Sequence, residues 1–359
     1  MDIPVLNLYY LLLYAWDRLE EGRVVAVGGL EHRTTADLLA RILVKGTRHV
    51  LRRGLDRGYV EHFETTSRLR GRVAFAPSVR RMLLPQARAV CTFDELTPDV
   101  LTNRILRTTI GRLMRVDALS DQHRRDLRGV YRELGGVGEI HLTRASFKRV
   151  RLHAGNAFYR FLLSACALAH ENLFPRDDGQ GYHFRDFARD DTQMARLFEA
   201  FLLRFYQRER PDLTARPESM AWIAEPISTL GPGQLPGMRT DVTLRGADWT
   251  CVIDAKYYRA ALSRWHEDGT FDASNLYQIT AYLRTLESNG GADGGADGVL
   301  LYPVVEGTFD HTYRVGPHRV RLLTLDLTRP WPEIESTLLD LASWSELSPS
   351  SANPLEAPF

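Results

Sequence analysis

Apolar residues recur along this chain with two different periods, and the switches between them lay out its elements. An apolar stretch comes first, with a helix expected from Leu8 to Trp16. In "TADLLARILVKGTRHVLRRGL", Leu38, Leu39, Ile42 and Leu43 fall at helical spacing. Residues 59–93 turn to alternation: "YVEHFETTSRLRGRVAF", with Gly71 as a bend, and "ARAVCTF" both read as strands. After Pro98 the helical period returns, with Leu101, Ile105, Leu106 and Ile110 on one face. Gly135, Gly136 and Gly138 then interrupt the pattern, and a domain boundary is expected between them and about residue 155.

The second half opens on an aromatic-rich helix over 158–168, followed by a broad apolar stripe of Leu197, Phe198, Phe201, Leu202 and Phe205 that Pro211 ends. The period then falls to two: "MRTDVTL", the turn "RGAD" and "WTCVIDAKYY" predict a hairpin. "SNLYQITAYLRTLES" predicts a helix capped by Ser274, "NGGADGGADG" a low-complexity loop, and "VLLYP" a short apolar strand. "SPSSANPLEAPF" reads as a frayed tail. The pattern therefore predicts an α+β domain over 1–150, an α/β domain over 151–345 and a flexible tail over 346–359.

Composition narrows the class without changing this layout. A chain of 359 residues has room for about two domains, and 44% hydrophobic with 25% charged residues is the balance of an ordinary globular protein. Cys91, Cys166 and Cys251 are widely separated, which points to a reducing compartment and away from a zinc site. The first residues include Asp2 in place of a basic leader, are interrupted by Pro4 and Asn7, and form too short an apolar run to span a bilayer. Cytoplasmic residence without membrane association is the expectation. The net charge of +1 conceals an asymmetry: residues 1–150 carry 26 Lys+Arg against 17 Asp+Glu, and residues 151–359 carry 20 against 28. Halves of +9 and −8 argue for two surfaces with different partners.

The candidate chemistry lies in the hairpin. Of 46 Lys+Arg only Lys45, Lys148 and Lys256 are lysine. Where arginine is the default cation, a lysine inside an apolar run is there for the compact ammonium and its movable pKa. Asp254 and Lys256 share one strand face, and pairing of the hairpin would bring Asp241 beside Asp254. Two converging carboxylates are pushed toward protonation unless a cation lies between them. Mg²⁺ suits such a place, taking Asp241, Asp254, the backbone carbonyl of Ala255 and waters. It would polarise a phosphate and lower the pKa of bound water, with Lys256 orienting or helping deprotonate the attacking water. Gln278 and Tyr282 lie one helical turn apart and face one way, to hold a phosphate or Lys256. Arg239, Arg245 and Arg259 cluster by the hairpin as a local cationic cleft. Competing chemistries lack their motifs. There is no G-x-x-x-x-G-K-[ST], "GPGQLPG" at 231–237 is a Pro-broken turn, the histidines show no H-E-x-x-H spacing, and G-x-S-x-G is absent.

The succession "TDVTL…VIDAKYY…NLYQITAYL…LLYP" resembles the PD-(D/E)xK nuclease core, with Asp in place of the commoner Glu at the third acidic position. Together with "NLYYLLLYAWDRL", "LRGRVAF", "TFDELTPDVLTNRIL" and "GYHFRDFARD", it makes the chain similar to the McrC family from about Pro4 to Leu341. McrC proteins are the nuclease subunits of McrBC modified-cytosine restriction systems. The resemblance implies a mixed sheet flanked by helices in the second domain. It also implies Asp241, Asp254 and Lys256 as the catalytic set, with Gln278 beside them and Mg²⁺ as cofactor. Glu199 falls where many such nucleases carry an additional acid. The implied partner is a McrB-like AAA+ GTPase hexamer that docks on the basic N-terminal domain, is stimulated by it, and uses GTP that this chain does not bind. The implied substrate is double-stranded DNA containing 5-methylcytosine, cut by nuclease domains that pair as a homodimer. Two alternatives stand beside this: a non-catalytic activator of the GTPase, against which the intact acid–lysine set weighs, and a nuclease of a related system with a different DNA trigger.

Overall fold

Sequence order and spatial order part company in this protein. The computed structural model describes residues 3–25, 34–224, 235–257, 271–304 and 307–346, and within them the chain forms two units. Their boundary lies at Arg185/Asp186 rather than at 135–155, and the first 22 residues belong with everything from Asp186 onward. The expected boundary fails because the helix Phe158–Asn172 packs on the helices Thr35–Arg53 and Leu101–Leu113 and is therefore part of the first unit's core. The three glycines near 135 mark only the turn after the helix Asp121–Glu133.

The unit built on Thr34–Arg185 is helical around Leu38, Leu39, Ile42, Ile105, Ile110 and Phe161, all fully buried. A three-stranded antiparallel sheet stands in it, with Ala89–Thr97 between Gly58–Thr66 and Arg72–Val73. Gly71 makes the expected bend at φ +66°, where a Cβ would lie 2.4 Å from the Thr92 carbonyl oxygen, so only glycine fits. The helix Thr35–Arg53 starts at Thr34, whose hydroxyl accepts the Asp37 N–H. Asp37 is itself buried and paired with His123 at 2.9 Å, and it accepts the Ser120 N–H at 3.1 Å. Drawn at the observed boundary, the charge asymmetry grows: this unit has 28 Lys+Arg against 15 Asp+Glu, and the other 18 against 30.

The acidic unit contains the site, and its elements are labelled in chain order: α1 (Val5–Ala15), α2 (Asp191–Glu209), β1 (Thr214–Arg216), β2 (Val242–Arg245), β3 (Thr250–Ala255), α3 (Ala273–Glu287), β4 (Asp297–Pro303), β5 (Asp310–Val315), β6 (His318–Leu325) and α4 (Trp331–Glu346). The six strands form one mixed sheet in the order β5-β6-β4-β3-β2-β1. β3 runs parallel to β4, and β4 to β6, while the other pairs are antiparallel. Every residue of β3 and β4 is buried, as expected of parallel strands covered on both faces. α3 lays Ile279, Leu283 and Leu286 against Val252, Leu300 and Leu322. It approaches so closely that a Cβ on Gly298 would lie 2.9 Å from both Ile279 and Leu283.

α1 is the clearest departure from expectation. It is apolar on all sides, so no single neighbour can cover it. Tyr14 meets Phe201 and Phe205 of α2 with ring centroids 5.7 and 5.4 Å away, and Tyr10 stacks on Trp331 of α4 at 4.6 Å. The Asn7 side chain donates to the carbonyls of Leu327 and Arg329 at 2.8 Å each. Two smaller expectations are also corrected. The cap of α3 is Asp272, whose carboxylate accepts the Ser274 N–H, rather than Ser274 itself. "MRTDVTL" is not one strand, because Met238–Arg239 pairs with Ser219–Met220 and β2 begins only at Val242. α4 extends through Glu346, and the tail from 347 lies outside the described residues. Among the described residues no helix is long and apolar enough to cross a membrane.

Candidate active site

The break in "MRTDVTL" falls at Thr240–Asp241, and it creates the site. β2 pairs with β3 in the register Val242↔Ile253. One step further along the antiparallel pair, Asp241 stands opposite Asp254, and residues so opposed point to the same face. Freed from the ladder, the Asp241 side chain reaches across and accepts the Ala255 N–H through Oδ2 at 2.8 Å. Asp254 is 1% exposed and Lys256 7%. The Lys256 ammonium lies 2.6 Å from Asp254 Oδ2 and donates to Gln278 Oε1 at 2.8 Å. Gln278 Nε2 donates in turn to the Tyr282 hydroxyl at 2.7 Å, and that hydroxyl donates to the Arg239 carbonyl at 2.8 Å. The two residues one turn apart on α3 therefore hold the lysine, one of the two roles their spacing offered.

Electrostatics show a site short of positive charge despite the lysine. Burial pushes the Asp254 carboxyl up to about 6; Lys256 opposes the shift and Asp241 adds to it. Burial also raises Asp241, against the Ala255 hydrogen bond and the charges of Lys256 and Arg239. Glu199 on α2 is raised by burial and then by Asp241 and Asp254, so it feels both acids, and it lines an open groove with Arg196, Arg239 and Asp241.

These residues fit a hard divalent cation. Two carboxylates face each other, both are held above their ordinary range, and Asp254 Oδ1 is buried without a hydrogen-bond donor. Among the described residues no three His, Cys, Asp or Glu side chains converge as a closed cage. The donor set is thus two carboxylates with backbone and solvent oxygen, the kind Mg²⁺ accepts. The Ala255 N–H is occupied by Asp241, and its carbonyl belongs to the same strand end.

The cationic cleft expected from Arg239, Arg245 and Arg259 does not form as a group. Arg245 is neutralised by Glu218 at 2.8 Å and Asp293 at 2.6 Å, and Arg259 lies outside the described residues. Of the two described, Arg239 lines the groove and Arg245 does not. Asp293, in the loop that reads as low complexity, also accepts from Thr250 at 2.8 Å and Asn289 at 3.1 Å, and so pins the start of β3. Only its position between glycines marks it in the sequence.

Fold and site define a two-unit α/β protein whose mixed sheet carries two opposed carboxylates and a lysine at the ends of two adjacent strands. A sequence model of the McrBC 5-methylcytosine restriction system component family matches residues 8–303, and the chain belongs to that family. It is 34% identical over 339 residues to the type IV methyl-directed restriction enzyme EcoKMcrBC of Escherichia coli K12, covering 94% of this chain and 97% of that protein. Its fold is similar to a chain of the half-complex from the tetradecameric assembly of Thermococcus gammatolerans McrB AAA+ hexamers with bound McrC. The TM-score is 0.59 at 18% identity, over 93% of this chain and 75% of that one. The resemblance to the McrC family read from the motifs is borne out.

Proposed function

We propose that this chain is the Mg²⁺-dependent, PD-(D/E)xK-type endonuclease subunit of a GTP-driven restriction complex that cuts 5-methylcytosine-containing DNA. The observation that carries the reading is the opposition of Asp241 and Asp254 with Lys256 held between Asp254 and Gln278. Asp241, Asp254 and the Ala255 carbonyl would hold Mg²⁺, which supplies Lewis acidity to a phosphate oxygen and a more acidic bound water. The chain's own residues do the rest. The Ala255 N–H fixes one Asp241 oxygen, and Gln278, itself fixed by Tyr282, aims the Lys256 ammonium. From there Lys256 orients the attacking water and offsets the charge that builds on the scissile phosphate.

A McrB-like AAA+ hexamer is the partner this reading requires, and GTP belongs to that partner. The names of the E. coli relative and the Thermococcus assembly support it. Docking falls to the basic unit, where Tyr59, Phe63, Phe75 and Met82, on and beside the three-stranded sheet, are each at least two-thirds exposed. The test is a cleavage assay with the purified pair on methylated and unmethylated duplex, with and without GTP and Mg²⁺. Cutting confined to methylated DNA with both present is expected. GTPase stimulation with no cutting in any arm would replace the nuclease by the non-catalytic activator.

A further inference from the structure

The basic unit contains a half-open groove of about 360 Å³ where the C-terminal end of the helix Thr35–Arg53 meets the N-terminal end of the helix Phe158–Asn172. His49, Arg53, Arg57 and His153 line it, and the His49 ring packs tilted against Phe158 with ring centroids 4.4 Å apart. Arg52, Arg53, Arg57, Lys148, Arg149 and Arg151 are all exposed. Among the described residues none of these six forms an ion pair. That separates them from other arginines of the same unit, since Arg48, Arg104 and Arg176 each pair with an aspartate. The one acid of the groove, Asp56, accepts the Thr102 hydroxyl at 2.7 Å. The second helix starts at Ala157 without a side-chain cap or an acid in its first turn, so no carboxylate there offsets the groove's cations. Burial, then the charges of Arg53 and Arg52, push the His49 imidazole down, as expected where the local potential is positive.

We infer that this groove, with the flanking Lys148–Arg151 run, binds the phosphate backbone of duplex DNA, and that the basic unit supplies the grip the acidic unit lacks. The inference rests on the nuclease reading above. A chain that must hold a polyanion needs cations free to displace its counterions, and the acidic unit carries 30 Asp+Glu against 18 Lys+Arg. Guanidinium groups suit phosphate oxygens, which they bind through paired N–H donors. Three cations within four residues, from Lys148 to Arg151, match a repeating linear charge rather than one carboxylate. A protein partner is the poorer fit, because protein interfaces centre on apolar and aromatic side chains with charge at the rim. The most exposed large apolar side chains of this unit, Tyr59, Phe63, Leu69, Phe75 and Met82, lie on and beside the three-stranded sheet.

The test measures binding apart from cutting. The full-length chain, in EDTA, is titrated into labelled methylated and unmethylated duplexes across a salt series. One variant carries Arg53→Gln with Arg57→Gln, and a control carries Arg80→Gln with Arg81→Gln. The groove variant is expected to bind both duplexes about tenfold more weakly, with a log–log salt slope flattened by about 2, while the control binds as wild type. Arg53→Lys with Arg57→Lys, which keeps the charges, should restore most of the affinity and so excludes misfolding as the cause. Wild-type affinity and slope in the Gln variant would overturn the inference. So would intact DNA binding with lost GTPase stimulation, which would give the groove to the protein partner. If the wild-type complex never cuts but the groove variant still loses DNA, the nuclease reading fails and the grip stands. If wild type cuts and the variant binds DNA normally, the nuclease stands and the grip fails.

Discussion

Tyr282 donates its hydroxyl proton to the backbone carbonyl of Arg239 at 2.8 Å, which ties α3 to the residue two places before Asp241. The same hydroxyl accepts from Gln278, so the two opposed acids and the lysine are set by one chain of hydrogen bonds. Tyr282→Phe keeps the buried ring and removes the relay. Single-turnover cleavage is expected to slow by about 10- to 100-fold, with KM and the melting temperature little changed. Wild-type turnover would show that Lys256 is held without it.

Lys256→Arg should be as inactive as Lys256→Ala, with a loss on the order of 1,000-fold. The ammonium sits 2.6 Å from one partner and 2.8 Å from another in a site 7% exposed. A planar fork cannot meet both without displacing an acid. Cutting by the Arg variant at a near-normal rate would make charge alone sufficient.

Asp241→Asn and Asp254→Asn should each abolish cleavage while leaving the GTPase of the proposed partner stimulated, because both acids lie in the acidic unit and docking is proposed for the basic one. A folded variant that fails to stimulate would show that one surface serves both functions.

Asp254 gives the acidic unit a pH signature. Its carboxyl titrates near 6 rather than 3.8, so folding favours its protonated form. Ionised Asp254 therefore costs stability, a cost fully present above the raised pKa of about 6 and absent below the ordinary value of 3.8. A divalent ion relieves that cost only where the carboxyl is ionised. Added Mg²⁺ should raise the melting temperature clearly at pH 7.5, and the shift should shrink toward pH 5 and vanish in Asp254→Asn. A Mg²⁺ shift independent of pH, or kept by the variant, would place the ion elsewhere.

Asp37 behaves in the opposite sense. Burial alone would raise its pKa, but hydrogen bonds from His123 and Ser120 outweigh it and hold the carboxyl well below its usual range. The stabilisation is complete above its ordinary value of 3.8 and is lost as the pH falls below it. His123→Ala leaves a buried carboxylate short of a partner and should cost roughly 1–3 kcal/mol in denaturant titrations at neutral pH.

What the sequence disclosed is what local periods control. Asp254 and Lys256 share a face because strands alternate, and Gln278 and Tyr282 meet because helices turn every 3.6 residues. Asp241 was legible through the hairpin, although the break that frees its side chain was not. Glu218 and Asp293 escaped because Arg245 joins them across 27 and 48 residues of chain. The domain seam was misplaced because glycines signal turns whether or not a core ends there.

α1 reaches its covering surfaces only through residues made far later, as its Asn7–Leu327 hydrogen bond spans 320 positions. During synthesis the stretch 34–185 can close its core first, while Leu8, Leu11 and Leu12 wait unburied for the end of the other unit. Contacts of such long range form slowly and leave apolar surface open meanwhile. Nascent chains stalled before Leu327 should therefore engage chaperones through this helix. Gene fragments cut at residue 150 split both units, so any fragment meant to hold the acidic unit has to keep residues 1–22 together with those from 186 onward.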